Sequence, residues 1–175
     1  MTPRWTGQRS TRPTGRNYRA QLGLPSVVAV QMGAWRSGTP AHTDFSAIVP
    51  PNGAKANRVM ARIAGQIESA GFDFAGCVTL FPRHALGLAL VSFDKGLETD
   101  RAAVSALFPA LLATVSAEGA APYRSHTAFM DRVADAYSAR NSAERRVVQA
   151  IKGALDPAGI LSPGKQGIWP GDPHP

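Results

Sequence analysis

Three polar side chains, Tyr123, Arg124 and His126, stand within four residues at the entrance of a predicted helix. A phenol, a guanidinium and an imidazole grouped there form a candidate anion-binding pocket. The free amide N–H groups and the dipole of a helix N-terminus both favour negative charge. The alternative is structural: Tyr123 packs, Arg124 pairs with a surface carboxylate and His126 caps the helix.

Other kinds of chemistry leave no motif in this sequence. There is no Gly-x-Gly-x-x-Gly and no Walker A loop, so no glycine-rich cradle for phosphates is recognisable. Cys77 is the only cysteine, which excludes an intramolecular disulfide and a multi-cysteine zinc site. It lies in the apolar run 72–81, where we expect a buried and inert thiol. No metal site is predicted.

The positive charge is concentrated at the start of the chain. Residues 1–19 contain five arginines and no acid, so of the net charge of +7 only +2 remains for the other residues. A nucleic-acid surface needs basic residues clustered on a folded face, and residues 1–20 read as a disordered basic leader. No stretch approaches the roughly 20 apolar residues of a membrane span. We therefore expect a cytoplasmic protein that binds neither nucleic acid nor membrane.

Apolar periodicity divides the first half of the chain into strands and one helix. Residues 24–30 and 42–49 are strand candidates, and the stretch from Ala56 to Gly71 has helical spacing with glycine at its end. Two further apolar runs, 72–81 and 85–93, are separated by Pro82-Arg83-His84. This pattern predicts a hairpin of buried strands.

The second half of the chain is predicted to be helical. Residues 104–115 have one apolar face, and Pro109 predicts a kink or a late helix start. Another helix is expected over 129–137. Asn141 and Glu144 have capping-box spacing for a last helix, whose predicted inner face is formed by Val147, Val148, Ile151 and Leu155. The order of elements predicts an α+β fold with an antiparallel sheet, helices on one of its faces and C-terminal helices.

Two segments resemble a known family. Residues 123–131 read Tyr-Arg-Ser-His-Thr-Ala-Phe-Met-Asp, and residues 155–170 read Leu-Asp-Pro-Ala-Gly-Ile-Leu-Ser-Pro-Gly-Lys-Gln-Gly-Ile-Trp-Pro. Both resemble the C-terminal part of the vanillyl-alcohol oxidase and 4-cresol dehydrogenase (hydroxylating) branch of FAD-linked oxidases. The likeness runs from about Leu22 to Pro170. It implies a ferredoxin-like cap domain over residues 21–171, without the family's N-terminal FAD-binding domain.

The resemblance also implies roles for individual residues. Tyr123 and Arg124 match the catalytic pair that grips the phenolate oxygen of a para-substituted phenol, and His126 would support that pocket. Hydride release from the benzylic carbon to the flavin would leave a quinone methide. His42 matches the histidine that oxidase members bond covalently to the flavin, although an ordinary strand-start histidine is an equal alternative.

Arg83 and Lys165 match positions near the flavin. Their alternatives are a solvent-exposed turn arginine and a chain-end lysine. Leu86 and Gly87 replace histidines that the family has after this arginine, which puts the usual lining of the pocket in doubt.

The functional hypothesis is the substrate-binding portion of an FAD-dependent oxidoreductase that oxidises or hydroxylates para-substituted phenols at the benzylic position. FAD would be held mainly by a domain that this chain lacks, so we expect the chain to be inactive alone. One alternative is a non-catalytic α+β module that binds small aromatics or a partner protein. The other is half of a split enzyme, completed by a separate flavin-binding chain or within a homodimer.

Overall fold

A computed structural model describes residues 38–137 and 142–169. The predicted leader (1–20), the strand candidate at 24–30 and the capping residue Asn141 lie outside these ranges. The described strands are β1 (Pro40–Val49), β2 (Phe74–Leu80), β3 (Ala85–Asp94) and β4 (Ala121–Pro122). The helices are α1 (Gly53–Ser69), α2 (Glu98–Ala117), α3 (Met130–Ala136) and α4 (Ala143–Leu155), with 3-10 turns at Thr127–Phe129 and Lys165–Gly167.

The four strands form one antiparallel sheet in the order β2-β3-β1-β4. With α1 between β1 and β2 and α2 between β3 and β4, the first six elements follow the β-α-β-β-α-β order of ferredoxin-like folds. The predicted α+β class is therefore confirmed. β4 was not predicted, because two residues are too few to show a period in the sequence.

Helix α1 forms as its sequence pattern predicts. The Asn52 side chain caps the helix by accepting a hydrogen bond from the Lys55 N–H, and Val59, Ile63 and Ile67 are fully buried against the sheet. Gly71 ends the turn that follows, with φ of +83°. A left-handed backbone of this kind favours glycine because it has no Cβ.

Helix α2 lies beside α1 on the same face of the sheet. It begins at Glu98 and continues through Pro109 to Ala117, so the predicted late start at the proline is wrong. The two arginines Arg58 and Arg62 of α1 each contact the Glu118 carboxylate at the end of α2, both at 2.9 Å. These ion pairs join the two helices at the rim of the core.

The side chains of β1 and β3 alternate between the two faces of the sheet. Phe45, Ala47, Ala85 and Ala89 point into the core under the helices. Residues of the other parity face away from α1 and α2; they are His42, Asp44, Ser46, Ile48, Leu86, Leu88, Leu90 and Ser92. Among the described residues no other helix packs extensively against the sheet.

The predicted burial of β2 is wrong. β2 is an edge strand of the described sheet, and Cys77 to Leu80 are exposed although the run is apolar. The thiol of Cys77 is therefore exposed rather than buried. An apolar run in the sequence predicts that a strand can pack against other apolar residues. It does not show whether the described part of the chain contains the residues that would cover that strand.

The last helix also departs from its prediction. α4 forms where the periodicity places it, but Val147, Val148, Ile151 and Leu155 are exposed, so they are not an inner face. Its contact to α3 is polar, with Arg145 Nη2 at 2.9 Å from Asp135 Oδ1. No helix among residues 38–137 and 142–169 has the length and apolar character needed to cross a membrane.

Candidate functional site

The Tyr123–Phe129 loop carries the predicted anion-binding residues, and β4 holds it against the sheet. The Tyr123 N–H donates to the Ser46 carbonyl at 2.7 Å, which extends the β1–β4 pairing by one residue. Tyr137 fixes Pro122, the residue before Tyr123, because the Tyr137 hydroxyl donates to the Pro122 carbonyl at 2.6 Å. Burial and the nearby Glu144 carboxylate raise the pKa of Tyr137, so this hydroxyl keeps its proton.

Tyr123 and Arg124 lie together. The guanidinium carbon of Arg124 is 5.2 Å from the centre of the Tyr123 ring, which is cation–π distance. Both side chains are exposed. Because Tyr123 stands opposite Ser46, alternation puts it on the sheet face that points away from α1 and α2.

His126 caps the turn that follows the pair. Its Nδ1 accepts a hydrogen bond from the Ala128 N–H at 3.2 Å, so in the neutral ring the proton is on Nε2. Its ring centre lies 6.0 Å from that of Phe129. The structural alternative for His126, a helix cap, is thus realised, while its supporting role in a substrate pocket stays a prediction.

The C-terminal segment returns to this loop. The Ser125 hydroxyl donates to Gln166 Oε1 at 3.0 Å, and the Gln166 N–H points to Met130 Sδ at 3.2 Å. Gly167, with φ of +69°, lies so close to α3 that a Cβ there would be 2.5 Å from the Ala134 Cβ. Lys165 is exposed. Because the next residue, Gln166, is hydrogen-bonded to Ser125, Lys165 lies near the loop that carries Tyr123 and Arg124.

Asp156 organises the turn between α4 and this segment. Its carboxylate accepts hydrogen bonds from the N–H groups of Ile160 and Leu161, both at 2.9 Å, and from the Lys152 ammonium. The bond from Lys152, followed by the two N–H donors, holds the pKa of Asp156 below its usual value. The Asp-Pro motif in the sequence therefore marks a hydrogen-bonded turn.

His42 shares a sheet face with Tyr123. It is half-buried on β1 opposite Ser92, and both His42 and Ser46 point away from the helices. Four residues of strand separate His42 from Ser46, the partner of Tyr123, or about 13 Å. One face of the sheet therefore carries both candidates.

Arg83 lies at the far end of that sheet. It is exposed in the β2–β3 turn, where the His84 ring stacks on Phe81 with centroids 4.7 Å apart. The turn adjoins Ala85, whereas His42 pairs with Ser92, so about 23 Å of β3 separates the two candidates. The structure does not bring Arg83 and His42 together.

The face that carries His42 has apolar side chains toward the Arg83 turn. Ile48, Leu86 and Leu88 are half-buried there, and Leu90 is buried. The sequence has no glycine-rich loop for the pyrophosphate. Among the described residues no group of three or more side chains could hold a metal ion.

A cavity of about 370 Å³ lies on the opposite, helix-covered side of the sheet. His126 lines it, whereas Tyr123 and Arg124 do not. Sequence reasoning missed this cavity. Its phenylalanines, Phe45, Phe93, Phe108 and Phe129, lie in predicted strands and helices. The sequence does not show where the apolar faces of such elements leave a cavity between them.

Comparisons with known proteins agree on one family. Residues 30–166 match the family described as FAD linked oxidases, C-terminal domain. The chain is 31% identical over 153 residues to the 4-cresol dehydrogenase [hydroxylating] flavoprotein subunit of Pseudomonas putida, covering 86% of this chain and 29% of that protein.

Two solved structures share the fold. The 4-ethylphenol oxidase of Gulosibacter chungangensis superposes with a TM-score of 0.81 at 29% identity, over 89% of this chain and 30% of that one. p-Cresol methylhydroxylase superposes with a TM-score of 0.80 at 30% identity, over 94% and 31%. The chain thus spans under a third of the length of these relatives, and it belongs to the C-terminal domain family of the FAD-linked oxidases.

Proposed function

We propose that this chain is the substrate-binding, C-terminal part of an FAD-dependent oxidoreductase that acts at the benzylic position of para-substituted phenols. The flavin would be held mainly by polypeptide beyond these 175 residues. The relatives that carry phenol-oxidising names are about three times longer, which supports a contribution from further polypeptide. Alone, the chain would not turn over a phenol.

The observation that carries the proposal is the shared position of Tyr123 and Arg124. The backbone bond to Ser46 fixes Tyr123 on the sheet, and Arg124 packs over its ring. A hydroxyl donor and a guanidinium so placed would stabilise a phenolate oxygen, because a free phenol has a pKa of about 10 and needs a fixed cation to ionise at neutral pH. His126 would orient the loop through its cap on Ala128.

The proposal gives His42, Arg83 and Lys165 roles beside the cofactor. When bound, FAD supplies an acceptor for the hydride that leaves the benzylic carbon. His42, half-buried on the face it shares with Tyr123, would hold the ring through the covalent bond that oxidase members of the family make at the matching histidine. Lys165 would approach from the C-terminal segment. Arg83, at the far end of the sheet, would contact a different part of the cofactor from His42.

4-Nitrophenol tests the clamp, since its phenolate is yellow and its ionisation can be followed by absorbance. We expect excess chain to lower the apparent pKa of 4-nitrophenol, and Arg124→Ala to abolish the shift. Arg132→Ala, which removes an exposed arginine of α3, is the matched control. An equal shift with Arg124→Ala, or none with the native chain, would contradict the clamp.

A second candidate function is a non-catalytic module that binds a partner protein. It is favoured by the exposed apolar side chains of α4, which are unusual in number for a surface helix. Light scattering after size exclusion, together with the genomic sequence upstream of Met1, separates the candidates. An adjacent flavin-domain sequence supports the enzyme, including its split form, whereas a homodimer without one supports the module.

A further inference from the structure

The cavity of about 370 Å³ lies between α2, β1, β3 and the Thr127–Phe129 turn. Small-molecule sites are typically apolar hollows of about 300–1,000 Å³ with a few polar groups at defined places. This cavity has that character. Its lining is mostly aliphatic and aromatic, with Thr43, Asp44, Lys95, Arg101, Ser105 and His126 as its polar members.

Three phenylalanines form one wall of the cavity. The Phe108 ring stacks on Phe129 with centroids 4.2 Å apart and nearly parallel planes, and Phe45 meets Phe108 edge-on at 5.3 Å. Side chains from a strand, a helix and a turn thus converge on one aromatic surface. Such a wall favours flat aromatic guests, which stack or meet its edges.

The cavity has a charged end and an apolar end. Lys95 and Arg101 are exposed, whereas Leu107 and Leu111 of α2 are buried. The Arg101 guanidinium bonds the Lys95 carbonyl and the Glu98 carboxylate, which fixes it at the mouth. Arg101 and Leu111 are ten positions apart on α2, so about 15 Å of helix axis separates the charged end from the apolar end.

The other titratable groups around the cavity leave its charged end, at Lys95 and Arg101, able to bind an anion. Asp44 lines the rim, but its carboxylate accepts the Ser46 hydroxyl at 3.3 Å and is exposed to water. His126 uses Nδ1 as a cap acceptor, which leaves Nε2–H as a donor from the loop side. Glu98 offsets the charge of Arg101. The Asp94 and Asp100 carboxylates also lie at this end, but they accept backbone N–H groups and do not belong to the lining, so Lys95 is the cation of the lining that can meet an anionic guest.

We propose that this cavity binds a small aromatic carboxylate, with the ring against Phe45, Phe108 and Phe129 and the carboxylate at Lys95 and Arg101. The site is separate from the Tyr123–Arg124 pair, since neither residue belongs to the lining of the cavity. The inference therefore stands whether or not the chain serves phenol oxidation. Because His126 lines the cavity, a guest there contacts the loop that carries Tyr123.

The probe is 2-naphthoate, titrated into the full chain labelled with nitrogen-15. We expect saturable amide shifts at Phe45, Phe108 and Phe129, and about tenfold weaker binding of the neutral 2-naphthylmethanol, since a charge-assisted contact is lost. Lys95→Gln should weaken 2-naphthoate binding by a similar factor. Arg132→Gln removes the same charge from α3, outside the cavity lining, and should leave binding unchanged.

Filling the cavity gives an independent check. Ser105→Trp places an indole in the hollow from an exposed position of α2 and should abolish binding. If that variant loses the native amide spectrum, Ala128→Phe fills the hollow from the turn. Undiminished binding to a folded filled variant, shifts confined to α4 or to Tyr123 and Arg124, equal weakening by Lys95→Gln and Arg132→Gln, or no binding would each overturn the proposal.

Discussion

The sheet with α1 and α2 differs from the C-terminal segment in what holds it together. In the first region the helices bury whole apolar side chains, and Val59, Ile63 and Ile67 have no exposed surface. In the second, no residue of α4 is buried, and Ile151 and Leu155 are 54% and 78% exposed. Polar contacts such as Ser125–Gln166 and Arg145–Asp135 connect this segment to the rest.

The difference shows where the described residues bury apolar surface against one another. Burial of apolar surface dominates folding, so we expect the sheet with α1 and α2 to contribute most of the stability. The apolar stripe of α4 has the amphipathic spacing of a helix that packs on something, and the described residues provide no such surface.

The largest contrast is expected between matched isoleucines. Ile63→Ala should lower the free energy of unfolding by about 2–5 kcal/mol, since it leaves a cavity under the sheet. Ile151→Ala, the same change on exposed α4, should cost less than about 0.5 kcal/mol. Urea unfolding of both variants measures the two costs, and similar values would remove the distinction between the regions.

Acid should loosen the C-terminal segment before the core. The pKa of Asp156 is lowered in the fold by Lys152 and two N–H donors, so its contribution is present at neutral pH. It begins to fade near the unfolded value of about 3.9 and is lost as pH falls through the lower folded pKa. The protection of the Ile160 and Leu161 amides, measured as exchange relative to the intrinsic rate at the same pH, should fall by about tenfold or more in this window.

Asp156→Asn is the control for that titration. Its side chain stays neutral, so exchange at Ile160 and Leu161 should already be fast at neutral pH. The Glu118 pKa is also lowered, mainly by its bond from Arg58, so the α1–α2 contact weakens in acid too. Buried amides of β3 should nevertheless stay protected, and their simultaneous release with Ile160 would contradict the ranking.

A smaller effect is expected at the end of α1. Gly71→Ala should destabilise the chain by about 1–2 kcal/mol, because φ of +83° brings a Cβ against the backbone. Gly65→Ala lies within the same helix, where nothing occupies the space of a Cβ, and should stabilise by about 0.5–1 kcal/mol. Thermal melts compare the two, and the same sign for both would contradict the assigned cap.

The smallest change in stability is expected from polar substitution of the α4 stripe. Ile151→Ser combined with Leu155→Ser should change the free energy of unfolding by less than about 0.5 kcal/mol, since both side chains are already in water. If the exposed apolar side chains of α4 drive association between copies of the chain, the same variant should reduce that association. Light scattering measures this, with Glu68→Ser on the exposed face of α1 as the control.

Predictions from the sequence were confirmed where the residue pattern that specifies an element lies within that element. The strand at 42–49, the helix ending at Gly71, the hairpin around Arg83 and the helix over 129–137 are confirmed. The resemblance in residues 123–131 and 155–170 identified the family. The predictions of burial at Cys77 and along α4 are wrong. Periodicity shows which face of an element is apolar, but it does not show whether another part of the chain packs against that face.

The amino-acid order by itself determined the α+β class, the two helix-forming apolar stripes over the sheet and the adjacency of Tyr123 and Arg124, since each follows from local spacing. The tertiary structure decided that Tyr123 and His42 share a sheet face and that Arg83 stands far from His42. It also decided that four phenylalanines from distant segments line one hollow. These depend on strand register and helix packing, which join residues far apart in the chain and leave no local pattern to read.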